Sequence, residues 1–261
     1  MHAAISKSHH DAVIFDLDGV VTQTAAVHAA AWKRLFDAYL AERAARAGTS
    51  PGGAASEAPD PALRPFGLEA DYRLHVDGKP RYDGVRDFLA SRGIELPEGD
   101  PADSPELETV CGLGNRKNAF FNAEVEEHGV RTFPSTIALI HELRGAEIKV
   151  GLMSSSKNTA MVLDVTGTAD LFEVRVDGVV AAEVGLPGKP DPAMYLETAR
   201  RLGVDAERAV VVEDALSGVE AGRRGGFALV IGVDRLGQAG ALAEAGADVV
   251  VDDLAEVGVI A

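Results

Sequence analysis

The apolar run Ala12–Phe15 ends at a carboxylate, Asp16, and no comparable run follows until Ile148. Both runs are continuous rather than alternating, as in strands buried on both faces of a parallel sheet. A crossover between neighbouring parallel strands needs one helix and short loops. More than a hundred residues separate these two. The chain must therefore leave its first domain just beyond the first strand, build a second body, and return.

After the return, apolar runs recur at Ile148–Met153, Ala209–Val212, Phe227–Ile231 and Asp248–Val251. Helical stripes lie between them. Ile137, Ile140 and Leu143 follow Pro134 and Ser135; Tyr195, Leu196, Ala199 and Leu202 are stopped by Gly203. Ser217-Gly218-Val219-Glu220 reads as a capping box, and Gly225-Gly226 ends that helix. Strand alternating with helix predicts an α/β doubly wound parallel sheet. The insertion reads as helical. Trp32, Leu35, Phe36 and Tyr39 form one stripe, and Val85, Phe88 and Leu89, stopped by Gly93, another. A third helix is expected from about Ser104 with Pro105 at its first position, and a fourth carries Phe121 and Val125 and ends at Gly129. Gly48 to Pro65, rich in Gly, Ala, Ser and Pro, reads as a flexible surface excursion. The expected domains are a core of residues 1–24 and 132–261 and an inserted domain of residues 25–131. An insertion there is placed to act as a lid, because ligands in open α/β sheets bind beyond the carboxyl ends of the strands.

Charge narrows the partners. A net charge of −16 repels nucleic-acid phosphates and anionic lipid. The single cysteine, Cys111, can close no intrachain disulfide. No apolar run approaches a membrane span, and Met1 to His10 has no apolar core of a signal peptide. The expectation is a cytoplasmic monomer acting on a small molecule, with no nucleic-acid or membrane partner.

The chemistry collects at strand ends. Asp16 and Asp18 share one side of the first strand's exit, since residues i and i+2 point the same way. Such a pair can bind Mg²⁺, or divide nucleophilic attack and proton transfer between them, or merely sit solvated in a turn. It is not an EF-hand, whose next ligand would fall at Val20. Glu213 and Asp214 close the third run; they can complete a metal shell or simply favour a helix N-terminus. Ser154, Ser155, Ser156, Lys157 and Asn158 follow the second run, suited to a phosphate or to a plain helix cap. Lys189 stands in the stiff turn Gly188-Lys189-Pro190-Asp191-Pro192, without the spacing of a Walker A loop. Gly112-Leu113-Gly114 lacks the third glycine of a dinucleotide fingerprint.

Taken in this order, the elements resemble the haloacid dehalogenase superfamily of aspartate-nucleophile phosphotransferases, with a Rossmann-like core and an α-helical cap inserted at this point. The resemblance implies Asp16 as nucleophile and Asp18 as general acid/base, its backbone carbonyl on the metal. It implies Ser154 and Lys189 on the transferring phosphate, and Glu213 and Asp214 on Mg²⁺. Thr24-Ala25-Ala26-Val27-His28 with Trp32, Gly78-Lys79-Pro80-Arg81, and Arg116-Lys117-Asn118 resemble the β-phosphoglucomutase family more closely. That likeness implies catalytic roles for Thr24 and His28. It places Trp32, Lys117 and Asn118 near the sugar, and Arg81 on the distal phosphate with Lys157. The implied activity is Mg²⁺-dependent interconversion of β-glucose 1-phosphate and glucose 6-phosphate through an aspartyl-phosphate and a bisphosphate. A sugar-phosphate phosphatase on the same scaffold is the alternative.

Overall fold

The computed structural model describes residues 4–46 and 60–260. The expected excursion from Gly48 therefore lies outside the described residues as far as residue 59. Its last part is a short turn, Pro61–Leu63, whose Asp60 side chain caps the Ala62 N–H at 2.9 Å. The chain packs as two compact units, Met1–Thr24 with Val130–Ala261, and Ala25–Gly129.

The first unit is built on six parallel strands in the order β4-β3-β2-β5-β6-β7. They are β2 (Ala12–Asp16), β3 (Lys149–Met153), β4 (Val174–Val176), β5 (Ala209–Glu213), β6 (Leu229–Val233) and β7 (Val249–Val251). Every residue of β2 and β5 is buried, which is why both read as unbroken apolar runs. Ala12 and Ile14 of β2, with Ala209 and Val211 of β5, join a core with Tyr195, Ala199, Val219 and Leu242. The intervening Val13, Phe15, Val210 and Val212 point to the opposite face and are equally buried. Helices α4 (Pro134–Gly145), α5 (Thr159–Thr166), α6 (Gly178–Val184), α7 (Ala193–Leu202), α8 (Leu216–Arg224) and α9 (Ala239–Ala245) connect the strands. A separate parallel pair, β1 (Ala4–Ser6) with β8 (Gly258–Ile260), joins the two ends of the chain. Register aligns the strand ends. Asp16 pairs with Met153, Phe15 with Val212, and Glu213 with Gly232, so Asp16, Ser154 and Glu213 emerge at one edge of the sheet.

Several local expectations need correction. The edge strand β4 and the β1–β8 pair escape the sequence reading because each has three residues and a partly exposed pattern. In α4 and α7 the buried stripe includes Leu139 and Met194, whereas Leu196 is 39% exposed. Ser217 is not a helix cap. It lies inside α8, whose N-cap is Ala215, and its Oγ is buried without a hydrogen-bond partner. The Glu213 carboxylate accepts the N–H groups of Asp214 and Ala215, in the turn that precedes α8.

The second unit is helical: α1 (Ala25–Arg46), α2 (Arg81–Ser91) and α3 (Val110–His128), with a single π turn at Tyr72–Val76. The third and fourth helices expected are one helix. Ser104 to Glu108 turns instead, and Thr109 starts α3 by capping the Gly112 N–H at 2.9 Å. Gly129, at φ +68°, ends it. Gly112-Leu113-Gly114 lies within α3, where a Cβ on Gly112 would stand 2.3 Å from the Leu107 carbonyl. The core gathers Trp32, Leu35, Phe36, Phe66, Phe88 and Leu113. Arg92 forms a buried ion pair with Asp71 at 2.7 Å and donates to the Arg64 carbonyl, fastening the 60–66 segment. No described helix is long and apolar enough to cross a membrane.

Candidate active site

Strand β2 runs out into a tight loop. The Gly19 N–H donates to the Thr22 carbonyl, and those of Val21 and Thr22 to that of Leu17. Gly19 sits at φ +85°, a region that costs other residues, and a Cβ there would lie 1.8 Å from Asp214 Oδ2. Glycine is thus what lets the Asp214 carboxylate approach this backbone. The loop brings Asp18 round to Thr24, whose hydroxyl donates to Asp18 Oδ1; Thr24 is itself 2.9 Å from the Thr22 hydroxyl. Asp18 is half-buried and Asp16 is 4% exposed.

Lys189 connects the strand ends. Its ammonium donates to Asp16 Oδ1 at 2.6 Å and to Glu213 Oε1, and its side chain is 3% exposed. Tyr195, one turn into α7, donates its hydroxyl to the same Glu213 oxygen at 2.9 Å. Glu213 Oε2 accepts the Asp214 and Ala215 N–H groups at 3.0 and 2.9 Å. Both Glu213 oxygens are therefore engaged, and the carboxylate acts as a bracket between Lys189 and the Asp214 backbone.

The charges do not balance. Burial, reinforced by Glu213 and Asp18 and opposed by Lys189, pushes the Asp16 carboxyl well above the usual range. Burial works against the Lys189 charge, but Asp16 and Glu213 outweigh it and raise its pKa. Burial also pushes the Tyr195 phenol well above its ordinary value, with the Glu213 charge adding to it, so it stays a donor. One ammonium thus serves two buried carboxylates, with two more nearby. Carboxylate oxygens of Asp16, Glu213 and Asp214 lie within 4.8 Å of one another. An excess of hard oxygen donors in so small a space fits a divalent cation.

Ser154, Ser155, Ser156, Lys157 and Asn158 form a loop folded on itself. Ser154 Oγ accepts the Ser156 N–H, and Ser156 Oγ accepts the Asn158 N–H, both at 3.1 Å. Ser154 is 1% exposed, and the Ser155 hydroxyl is buried with no hydrogen-bond partner. None of these serines caps α5, whose N-cap is Asn158. Gly178 holds the loop from below, since a Cβ there would stand 2.5 Å from the Ser155 carbonyl. Lys157 is exposed and Asn158 half-buried.

The remaining candidates belong to the second unit. Lys117 Nζ lies 2.6 Å from His28 Nδ1 and 5.0 Å from the centroids of the Trp32 and Phe121 rings. A donating ammonium requires His28 Nδ1 to be unprotonated. His28 stacks on Phe121 at 4.3 Å. Trp32 is 3% exposed and is a core residue of this unit. Asn118 follows on α3, half-buried. Arg81 opens α2 beside the Tyr82 ring, and burial lowers its pKa. Elsewhere in the unit Lys79, Arg86, Arg92 and Arg116 are tied to Asp87, Glu98, Asp71 and Glu42; among the described residues Arg81 has no carboxylate partner. The hydroxyl of Tyr195 is the site group that the sequence reading missed. The signal was present: a tyrosine rather than a phenylalanine in a buried stripe needs a partner for its O–H.

A family model described as haloacid dehalogenase-like hydrolase matches residues 10–226. A β-phosphoglucomutase of Mycobacterium tuberculosis (strain CDC 1551 / Oshkosh) is 48% identical over 248 residues, covering 94% of this chain and 90% of its own. A β-phosphoglucomutase of Bacillus subtilis (strain 168) is 30% identical over 223 residues, covering 85% and 83%. The crystal structure of a β-phosphoglucomutase from Clostridium difficile superposes with a TM-score of 0.67 at 25% identity, over 95% of this chain and 92% of that one.

Proposed function

The chain belongs to the haloacid dehalogenase-like hydrolases and, within them, to the β-phosphoglucomutase family, and we propose that it interconverts β-glucose 1-phosphate and glucose 6-phosphate. The observation that carries the chemistry is the Asp16–Lys189–Glu213 cluster beside Asp214 at adjoining strand ends.

Asp16 is the nucleophile. One of its oxygens attacks the phosphorus of a sugar bisphosphate. The bond from phosphorus to the sugar oxygen breaks, and an aspartyl-phosphate forms. Asp18 gives its proton to the departing oxygen, so a neutral hydroxyl leaves. In the return step a hydroxyl of the sugar monophosphate gives its proton to Asp18 and attacks the phosphorus, freeing Asp16. The Thr24 hydroxyl holds the Asp18 carboxyl in one orientation for both transfers. Lys189 neutralises charge on the transferring group, and Glu213 with Tyr195 keeps that ammonium in place. Ser154 lines the phosphate from β3. Asp16, Asp214 and the Asp18 carbonyl would hold Mg²⁺, with Glu213 bracketing them. When bound, the ion offsets the negative charge shared by phosphate and carboxylates.

In the second unit Arg81 takes the distal phosphate. A guanidinium desolvated without a carboxylate is suited to an anion that arrives with the substrate. Lys117 and Asn118 take sugar hydroxyls, and His28 holds Lys117. The test is a panel of sugar phosphates with Mg²⁺, assayed separately for isomer and for free phosphate. Isomer from β-glucose 1-phosphate is expected. Free phosphate from many sugar phosphates with no isomer would overturn the mutase reading in favour of a phosphatase.

A further inference from the structure

Arg235 belongs to none of the motifs above, yet it touches the loop that carries Asp18. It lies in the turn after β6. Its Nε donates to the Gly19 carbonyl at 2.9 Å, and Nη1 to the Asp252 carbonyl at 3.3 Å. The guanidinium lies 3.7 Å from the centroid of the Phe133 ring, and the side chain is 16% exposed. The nearest carboxylate, Asp253, is 3.8 Å away, and the third nitrogen, Nη2, is buried without a hydrogen-bond partner. Such a placement is costly. An apolar side chain could cover Phe133 without that cost, so the donated bonds are what distinguish arginine here.

The turn that bears Arg235 is rigid. The Asp234 carboxylate accepts the N–H groups of Leu236, Gln238 and Ala239. Gln238 Nε2 in turn reaches the Asp214 carbonyl at 3.4 Å. One turn therefore grips both acid-bearing loops, at Gly19 through Arg235 and at Asp214 through Gln238. Between these points the Gly19 Cα and the Asp214 carboxylate pack too closely for a Cβ. Phe133 adds a third anchor, because its N–H donates to the Val21 carbonyl at 3.0 Å.

We propose that Arg235 is a positioning residue for the metal site: by holding the Gly19 peptide against Asp214, it sets the spacing between the Asp18 carbonyl and the Asp214 carboxylate. This rests on the reading that these groups hold a divalent cation. Arginine is required because a planar fork can serve Gly19 and Asp252 together while covering a ring; lysine keeps the charge but not the fork.

The experiment is a Mg²⁺ titration by calorimetry on the full-length, metal-free protein without substrate, for wild type, Arg235→Lys and Asp253→Asn. Thermal melts of the same metal-free samples accompany it. Arg235→Lys is expected to weaken Mg²⁺ binding ~10-fold or more, as loss of an outer partner does, while its metal-free melting temperature stays near wild type. Asp253→Asn, which leaves the Gly19 bond in place, is expected to bind Mg²⁺ as wild type does. Unchanged affinity in Arg235→Lys overturns the proposal. So does a variant that only melts earlier or fails to fold, since Arg235 would then be a structural pin. An equal loss in Asp253→Asn overturns it as well, because the effect would be general electrostatics. A wild type that takes up no Mg²⁺ overturns the metal reading itself, and this role with it.

Discussion

Gly19→Ala tests the site at its tightest point. The added methyl would stand 1.8 Å from Asp214 Oδ2 and 2.5 Å from its Cγ. Contacts of that kind are not tolerated below about 3 Å, so the carboxylate must withdraw by roughly an ångström or more. The obstacle is the end of a short side chain rather than backbone, and rotation of Asp214 relieves it. The price in stability has two parts. Alanine at φ +85° costs ~1–2 kcal/mol, and an off-rotamer aspartate adds ~0.5–1.5 kcal/mol. Together they predict a loss of about 2–3 kcal/mol, which a domain of this size survives. Function suffers more. Displacing Asp214 should weaken Mg²⁺ binding by ~10–100-fold. Urea melts give the first quantity and calorimetric Mg²⁺ titration the second. Asp214→Ala in the same background separates the two parts. With the carboxylate gone the methyl meets no obstacle, so the double variant should regain the off-rotamer share and keep only the backbone cost. A Gly19→Ala protein that binds Mg²⁺ within threefold of wild type would refute the reasoning.

Lys189→Met leaves the buried Asp16 and Glu213 without their cation and should cost ~3–5 kcal/mol at neutral pH. Burial already pushes the Asp16 carboxyl upward against the opposing Lys189 charge, so without the ammonium Asp16 holds its proton still more tightly in the folded than in the unfolded chain and the deficit should shrink as pH falls; urea melts at two pH values check this. Tyr195→Phe removes one hydrogen bond to a carboxylate that keeps three others, and should cost ~1–2 kcal/mol in the same assay; no loss would mean that the hydroxyl is idle. Arg81→Ala should raise KM for the sugar phosphate ~10–100-fold and raise the ratio of free phosphate to isomer. Equal loss of both products would remove Arg81 from the substrate.

The inserted unit and the strand-end carboxylates could be read directly because their causes are local. A buried parallel strand must be apolar along its length, so Ala12–Phe15 and Ala209–Val212 stand out, and whatever follows them lies at the sheet edge. Helix boundaries in the second unit were less legible. Pro105 suits a helix start, but the segment from Pro97 to Thr109 folds against the beginning of α3 instead, with the Val110 N–H donating to the Pro97 carbonyl. That hydrogen bond is a tertiary fact, and no propensity announces it.

By itself the sequence determined the order of chemical groups along the chain: Asp16 and Asp18, then the serines, then Lys189, then Glu213 and Asp214. It also determined that a helical body interrupts that order after the first strand. Only the tertiary structure decided how the groups share their bonds. Lys189 reaches Asp16 across 173 positions, and Arg235 reaches Gly19 across 216. Ser217 caps nothing, and Tyr195 becomes the partner of Glu213 rather than a mere core residue. Local pattern reports which face of an element is buried, because periodicity alone sets that. Which buried polar atom meets which depends on strand order and register, and those arise only when distant segments pack.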